Sequence, residues 1–393
     1  MSAAVEPLVI SDYAGAMAAL KHADLAQGLY DDGRLVMQDA LITLHGEAHT
    51  QRRLTEFGVF NRAFFRTYES QIFPQTIAPI IGHYVAAGRA DLVELGYRVT
   101  MNLTADFAGI DRAATLQDTE ALLALVKTFS AGATLVHSTR DRERIEAAVR
   151  TALSEFEQRF LKPSVARRKQ LLRTRQPLPN DVLSKLLQSD LDLPPDVMRR
   201  EMAFYLQAGA HSTANSTVHA VHEVLTWCGD DPARRNRFAD KRAVQQAVHE
   251  SLRLHPASPV AWRKAVKSIE LAGGVLTAGE RLIIDLQAAN RDASVFGKDA
   301  DQFDPQRPLP ANVWPYGLTF GYGVHACLGK ALDGGVVPRD GARDHQQFGI
   351  VTLLVHLLLQ HGAAWIDADP PRADADTSRA NWGYYPVALK EVA

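Results

Sequence analysis

The sequence predicts a mainly α-helical protein with a small β portion, built as one domain over residues 1–393. Three observations support this fold class. Between about residues 11 and 260, apolar residues recur at steps of three and four, which is typical of helices with one buried face. After residue 260 the pattern changes to short strand-like runs separated by glycines and prolines. Neither an internal repeat nor a low-complexity linker divides the chain.

The apolar periodicity predicts helices, several of which end at proline- or aspartate-rich breaks. They cover residues 12–23, 71–87, 91–108, 118–129, 140–175, 196–227, 243–254 and 346–360. Strands are predicted over 268–271 and 281–285, followed by an irregular stretch from 292 to 315. The helix over 140–175 carries a basic run, which we interpret as a solvated face rather than a binding patch. The run consists of Arg167, Arg168, Lys169, Arg173 and Arg175.

Composition excludes several classes of protein. With 46% hydrophobic and 22% charged residues the balance is that of a globular protein, and the net charge of −2 gives no reason to expect nucleic acid as a partner. Only Cys228 and Cys327 are cysteines, which fits a reducing compartment rather than a disulfide framework. The first residues show no signal peptide and no long apolar run occurs, so we expect a soluble, cytoplasmic protein without a membrane anchor.

The segment F-G-Y-G-V-H-A-C-L-G, residues 320–329, is the most informative part of the chain. Its glycines allow tight turns and a close approach of the backbone to a flat ligand. A short helix is predicted over 328–332, so Cys327 is expected at a helix N-terminus, where backbone N–H groups lower the pKa of a thiol. A thiolate is suited to ligating a metal. The ordinary alternative is a small residue of the core.

Two other interpretations of this segment are weaker. G-Y-G-V-H-A fits a loose dinucleotide fingerprint, but no βαβ unit surrounds it and no acidic residue follows at the required distance. A nucleophilic cysteine would need a partner, and no asparagine or aspartate is evident for that role.

The segment resembles the cysteine-loop signature of the cytochrome P450 family, F-x-x-G-x-[HR]-x-C-x-G, in register from Phe320 to Gly329. The resemblance implies the P450 fold, a triangular helical prism. It also implies haem b (iron protoporphyrin IX) as cofactor, with Cys327 as the thiolate ligand of the iron. The loop residues expected at the haem are Phe320, Gly321, His325, Cys327 and Gly329.

Further motifs follow the family's order along the chain. Glu250 and Arg253 form an E-x-x-R on one helix face, and Arg307 resembles the arginine that the family joins to this pair behind the haem. Without the resemblance the pair is an ordinary helix-surface pair. The residues that the resemblance assigns to the haem propionates are His49, Arg53, Arg263 and His325. Arginine and histidine donors suit two carboxylates, although His49 and Arg53 are also compatible with an exposed basic helix start.

The predicted helix over 196–227 resembles the family's oxygen-activation helix, at Ala208 and Gly209. A glycine weakens a helix, and nearby hydroxyls open or bend it. The family has an acid and a threonine next, whereas this chain has His211 and Ser212, followed by Thr213. We expect Ser212 or Thr213 to take the hydroxyl role and His211 to relay a proton near neutral pH. The alternative is that the small residues of this helix only allow close packing.

Two further departures concern the ends of the resemblance. The region before His49 is shorter than in the family, which predicts a reduced first sheet and pocket lid. An insertion over about 333–345 interrupts the helix after the cysteine loop, and its charged residues are Arg339, Asp340, Arg343 and Asp344. It would lie on the face where electron donors dock in the family. A changed partner and a harmless surface loop are both compatible with it.

The resemblance implies a haem-thiolate monooxygenase of the soluble bacterial type, of the kind found in secondary metabolism. It would insert one oxygen atom from O₂ into a small apolar organic substrate. No flavin or iron–sulfur motif is present, so a ferredoxin and a ferredoxin reductase are the expected electron donors. The alternatives are a peroxide-dependent hydroxylase, a haem-dependent isomerase or coupling enzyme, and a non-catalytic haem-thiolate sensor or binding protein.

Overall fold

The computed structural model describes residues 7–112, 115–271, 274–337 and 346–391. Its helices are α1 (Tyr13–Lys21), α2 (Arg34–Met37), α3 (Gly46–Phe57), α4 (Arg62–Thr67), α5 (Phe73–Ala86), α6 (Leu92–Ala108), α7 (Leu116–Ala133), α8 (Arg142–Phe156), α9 (Lys162–Arg173), α10 (Val182–Gln188), α11 (Pro195–Cys228), α12 (Pro232–Arg237), α13 (Lys241–Leu254), α14 (Leu286–Ala289), α15 (Ala293–Phe296), α16 (Lys330–Asp333) and α17 (Ile350–Gln360). Its strands are β1 (Leu8–Ile10), β2 (Leu25–Gln27), β3 (Arg89–Asp91), β4 (Val260–Ala265), β5 (Ile269–Leu271), β6 (Gly274–Leu276), β7 (Arg281–Asp285), β8 (Ala364–Trp365), β9 (Arg372–Ala373), β10 (Trp382–Tyr384) and β11 (Pro386–Ala388).

The predicted fold class is confirmed, since helices dominate and the strands are few and short. The prediction for β7, Arg281–Asp285, is exact, and that for α11 differs by one residue at each end. The predicted helix over 140–175 is observed as an uninterrupted helical run from Arg142 to Arg173, in which a π-helical turn at Glu157–Leu161 lies between α8 and α9. No helix of the described residues is both long and apolar enough to cross a membrane.

Helix α11 is the central element of the core. Helices α6, α7, α13 and α17 all pack against it, and 21 of its 34 residues are buried. It is therefore buried around much of its circumference, as expected of a helix surrounded by protein.

The largest sheet has four strands in the order β1-β7-β4-β2. Strand β1 pairs with β7 in parallel, and the other two pairings are antiparallel. This sheet and α1 enclose a second, smaller cluster of buried side chains that includes Ile10, Leu20, Leu282 and Ile284. A three-stranded sheet, β3-β11-β8, and the hairpins β5-β6 and β9-β10 complete the β structure of the described residues.

The basic run at the end of α9 is only partly a solvated face. Arg168 is 2% exposed and donates to Asp181 at 2.6 Å and to Asp111 at 3.2 Å. Arg167 is exposed and pairs with the same Asp111 at 2.6 Å. The expectation of a solvated face is therefore wrong for Arg168, which fastens α9 to the start of α10. The four charged residues Arg339, Asp340, Arg343 and Asp344 of the predicted insertion lie outside the described residues.

Candidate functional site

A cavity of about 310 Å³ lies between α11 and the loop of residues 320–329. Apolar side chains such as Leu29, Ile42, Leu103, Phe107 and Phe204 form much of its wall. All the predicted site residues except His211 line it, namely His49, Arg53, Ala208, Gly209, Ser212, Thr213, Arg263, Phe320, Gly321, His325, Cys327 and Gly329. Residues far apart in the sequence are thus brought to one chamber.

The cysteine loop is shaped by its glycines. Gly321 and Gly323 have φ angles of 65° and 69°, which side chains with a Cβ rarely adopt. A Cβ on Gly323 would also come within 2.8 Å of the Leu20 carbonyl oxygen, so α1 packs directly on this backbone. The Cys327 N–H donates to the Phe320 carbonyl at 2.8 Å and closes the loop. The backbone thereby holds the thiol at the cavity wall.

Cys327 lies deep in the protein, and the accessible part of its side chain faces the cavity. Burial raises the pKa of its thiol to about 11, with Asp333 adding to the rise, while the Gly329 N–H and the Arg53 charge oppose it. We expected a helix N-terminus to lower the pKa of the Cys327 thiol, and this expectation is wrong for the protein without a bound metal. Helix α16 is a single turn that begins at Lys330 rather than 328, and its few N–H groups do not offset the loss of water.

Positive and potentially positive side chains gather at one edge of the cavity. The rings of His49 and His325 lie 4.3 Å apart, and the Nε2 atom of each is buried without a hydrogen-bond partner among the described residues. Arg53 donates to the Ala326 carbonyl at 2.6 Å and Arg263 to the Gln27 side chain at 2.7 Å. Within the described chain neither arginine has a carboxylate at salt-bridge distance. Burial lowers the pKa of Arg263 to about 10 and that of His325 to about 3.

Behind the loop, Glu250, Arg253 and Arg307 form the connected group that the motifs predict. Glu250 accepts from Arg253 Nη2 at 2.6 Å and from Arg307 Nε at 2.9 Å. Arg253 is fully buried and also donates to the carbonyls of Asn290 and Ala300, at 2.6 and 2.7 Å. This group ties α13 to the irregular segment that leads into the cysteine loop, so its role is structural.

On the α11 side, the two hydroxyls are differently engaged. The Ser212 Oγ donates to the Ala208 carbonyl one turn earlier at 2.5 Å, as expected for a helical serine. The Thr213 Oγ1 donates to Asp333 of α16 at 2.6 Å. Burial raises the pKa of Asp333 to about 6, and this carboxyl also lines the cavity. Helix α11 stays helical at every residue here, so the expected local opening is not present.

His211 is held away from the cavity. Its Nε2 accepts from Arg379 Nη2 at 2.7 Å, and its Nδ1 is hydrogen-bonded to the Tyr97 hydroxyl. Burial and the Arg379 charge lower the pKa of the ring to about 3, so it is neutral at pH 7. The expected relay by His211 near neutral pH is therefore not supported. The side chain at this position is fixed by structural partners instead.

Comparisons with known proteins agree with this geometry. A family model described as "Cytochrome P450" matches residues 220–332, which contain the E-x-x-R pair and the cysteine loop. The resemblance of this segment to the cytochrome P450 family is thereby confirmed. Cytochrome P450-SU2 of Streptomyces griseolus is 32% identical over 48% of this chain and 42% of its own length. Mycinamicin VIII C21 methyl hydroxylase of Micromonospora griseorubida is 32% identical over 41% of this chain and 40% of its own.

The matched segments thus span less than half the length of these curated relatives, whereas solved P450 structures match almost throughout. P450BioI, solved with an acyl carrier protein carrying hexadec-9Z-enoic acid, superposes with a TM-score of 0.75 at 20% identity, over 97% of this chain and 92% of its own. CYP109E1 of Bacillus megaterium, solved with corticosterone, superposes with a TM-score of 0.73 at 19% identity. The match covers 98% of this chain and 92% of CYP109E1. These structures show that the fold of this chain is that of a cytochrome P450.

Haem b is the cofactor of cytochrome P450 proteins, and the cavity residues fit it. A haem requires a ligand for its iron and donors for two propionates. Cys327 faces the cavity, while the charges of Arg53 and Arg263, with the unpartnered Nε2 atoms of His49 and His325 beside them, form a cationic edge that has no anion of its own among the described residues. Such a group is costly to bury unless a negative charge is bound there. We therefore assign these four side chains to the propionates as a proposal.

Gly209 allows α11 to pack closely on α6. A Cβ at this position would lie 2.9 Å from two side-chain atoms of Thr104 and 3.0 Å from the Phe107 ring. We expect Gly209→Ala to lower the free energy of unfolding by about 1–2 kcal/mol, because overpacking outweighs the better helix propensity of alanine. Gly82, exposed on α5 with no atom near its hypothetical Cβ, is the control. Gly82→Ala should raise stability by up to about 1 kcal/mol in the same urea titration. Equal effects would contradict the packing role.

Several polar residues around the cavity were not predicted from the sequence. Tyr205 lines it and donates to Glu56 at 2.5 Å, and Glu56 is buried with one oxygen unpartnered in the described chain. Burial and the neighbouring Glu201 raise the pKa of Glu56, while Glu201 pairs with Arg52 at 2.5 Å. The sequence contained only a weak indication of Glu56, namely that it follows Arg53 by three residues and so lies on the same face of the helix. No local signal pointed to Arg379 or Tyr97.

Proposed function

We propose that this protein is a haem-thiolate monooxygenase that inserts one oxygen atom from O₂ into a small, apolar organic substrate. One observation carries the proposal. The Cys327 thiol faces the same cavity as Ser212 and Thr213 of α11, with a cationic edge beside them. Curated relatives include a methyl hydroxylase, which supports oxygen insertion.

The proposal gives several residues of the cavity a role in that reaction. Bound haem supplies the iron at which oxygen is activated, with Cys327 as its thiolate ligand and electron donor. The apolar walls, such as Leu103 and Phe107, exclude water and hold an apolar substrate. The Ser212 hydroxyl is the proposed proton donor, because its hydrogen bond goes to a carbonyl of its own helix, whereas the Thr213 hydroxyl is bonded to Asp333 of α16. Asp333, which accepts from Thr213, is a carboxyl group on the cavity wall at the Cys327 side.

The electrons are proposed to come from a ferredoxin and its reductase, because the sequence has no flavin or iron–sulfur motif. A peroxide-driven hydroxylase is the second candidate. The observation that favours it is His211, a neutral ring bound to Arg379 and Tyr97 where the family has an acid.

The test uses the purified holoenzyme. Its reduced carbon monoxide difference spectrum should show the red-shifted Soret band of thiolate-ligated haem. Turnover of an apolar compound library is then compared with a ferredoxin and reductase, and with hydrogen peroxide. Product with the electron-transfer pair supports the proposal. Product with peroxide alone supports the second candidate, and a folded protein without the thiolate band would refute both.

A further inference from the structure

A stripe of polar side chains follows one face of α11 from the main cavity towards the protein surface. Ser212, Ser216, His219 and Glu223 are spaced by four, three and four residues, so they lie on the same side of the helix. Ser212 and Ser216 line the main cavity. Ser216 and His219 are buried, and the Glu223 side chain is 16% exposed. Buried polar side chains cost free energy unless they are hydrogen-bonded, so the stripe requires polar neighbours along its length.

A second cavity of about 30 Å³, here called the small cavity, lies beside the stripe. Ser216 and Ala257 belong to its wall and also to the wall of the main cavity, so the two cavities are adjacent. Gln287 and Ala380 in its wall are exposed, which places it close to the protein surface. Its volume is sufficient for about two water molecules, and polar side chains surround it, as a hydrated cavity requires. Besides Ser216, these polar side chains are Asn215, His219, His255, Gln287, Arg379 and Asn381.

Two histidine rings line the small cavity side by side. The rings of His219 and His255 are stacked, with centroids 4.4 Å apart and planes 5° apart. The His255 Nε2 lies 2.6 Å from the Glu223 Oε1, and the His255 side chain is 23% exposed. The N–H bonds of stacked rings lie in the ring planes and do not point at the other ring. A proton therefore passes between these rings only through water in the cavity that both of them line.

His219 is suited to passing a proton on rather than to holding it. Burial and the neighbouring His255 lower its pKa to about 3, His222 adds to the fall, and a hydrogen bond with Asn381 opposes it. The ring is therefore neutral at pH 7, with one donor and one acceptor nitrogen, so it can accept a proton at one and release a proton from the other. The other charged or titratable groups around this end of the stripe are Glu223, His222, His255, Arg291, Arg379 and Tyr385.

We propose that the stripe and the small cavity form a water-containing proton path from Glu223 and His255 to the Ser212 hydroxyl in the main cavity. A separate path is needed because the acid of the family is absent, and His211 in its place is bound to Arg379. In the proposed reaction RH, O₂, two electrons and two protons give ROH and water. The electrons come from the ferredoxin and its reductase, and both protons come from bulk water along this path. The inference rests on the proposed monooxygenase function, because that reaction takes up protons.

The test compares two ways of driving the holoenzyme. Product is measured for the compound of the apolar library that the wild type converts fastest, first with ferredoxin, reductase and NADPH. It is then measured with hydrogen peroxide and with iodosylbenzene, which donate an oxygen atom without net proton uptake. His219→Phe keeps an aromatic ring but cannot carry a proton. It should lower the rate with the electron-transfer pair about tenfold or more, and leave the rate with the oxygen donors within about twofold. His255→Gln, which can still hydrogen-bond to Glu223, should show the same split.

His222→Phe is the matched control. His222 is also a histidine of α11, but its Nδ1 is hydrogen-bonded to the Tyr385 hydroxyl at 3.0 Å and it does not line the small cavity. This variant should keep both rates. A crystal structure of the holoenzyme gives a measurement that does not depend on turnover. At least one ordered water in the small cavity should be hydrogen-bonded to Ser216 or His219.

Several results would overturn the proton path. It is wrong if His219→Phe and His255→Gln keep the rate with the electron-transfer pair, or if they lose both rates equally, which indicates a structural role. It is also wrong if His222→Phe shows the same split or if the small cavity is dry in the crystal. If His219→Phe lacks the thiolate band and is therefore not intact, His255→Gln alone decides. A wild type that forms no product with the electron-transfer pair refutes the monooxygenase proposal itself, and this failure is seen before any variant is compared.

Discussion

Replacing Arg253 with leucine is expected to lower the free energy of unfolding by about 3–5 kcal/mol. The guanidinium is fully buried and makes two bonds to Glu250, at 2.6 and 2.8 Å. Its removal leaves Glu250 buried with Arg307 as its remaining charged partner, and it also leaves the carbonyls of Asn290 and Ala300 without their donor. The loss combines an undercompensated carboxylate with unpaired backbone acceptors, which are the costly outcomes of breaking a buried network.

The measurement is urea unfolding followed by circular dichroism, on samples with equal haem content. Arg142→Leu is the matched control. Arg142 likewise forms ion pairs, with Glu146 at 3.0 Å and Asp32 at 3.1 Å, but its side chain is 55% exposed. Water replaces those contacts, so this substitution should leave the stability nearly unchanged. Equal losses in the two variants would show that the Glu250 group does not have the assigned structural role.

The helices could be predicted because their signal is local. Apolar spacing in the sequence maps directly onto one buried face, and for α11 a proline at the first turn and a glycine directly after Cys228 mark the ends. Short elements such as α2, four residues long, and the two-residue strands β8 and β9 carry too few positions for a period. The π-turn between α8 and α9 was not predicted, because it changes the hydrogen bonding inside a continuous helical run without any distinct residue pattern.

The cysteine side of the site could be predicted for the same reason. Ligand, glycines and His325 stand within one ten-residue segment, so their spacing alone fixes their neighbourhood. The opposite side depends on pairs far apart in sequence, such as His211 with Tyr97, 114 residues away, and with Arg379, 168 residues away. Burial is equally invisible in a linear pattern. The sequence therefore indicated a thiol at a helix start, and only the fold shows that burial raises the pKa of Cys327.

Cys327→Ser is expected to abolish the red-shifted Soret band of the reduced carbon monoxide complex and to remove detectable oxygen insertion. The serine hydroxyl is nearly the same size, so the loop backbone, closed by the Cys327 N–H at 2.8 Å from the Phe320 carbonyl, should persist. A hydroxyl does not give the soft thiolate ligand that donates electron density to iron. The loss of activity should exceed the roughly 10–100-fold effect of removing a contact that merely supports a metal ligand.

Cys228→Ser provides the control, because Cys228 is the other cysteine of the chain and lies buried at the end of α11, outside the cavity lining. It should retain the thiolate band and the activity, with at most a loss of stability. If the band survives in Cys327→Ser, another group ligates the iron and the assignment of Cys327 fails. If Cys327→Ser loses the band but still binds haem, the cationic edge of His49, Arg53, Arg263 and His325 is sufficient to hold the cofactor. Haem retention in this variant therefore separates binding at the propionates from ligation at the iron.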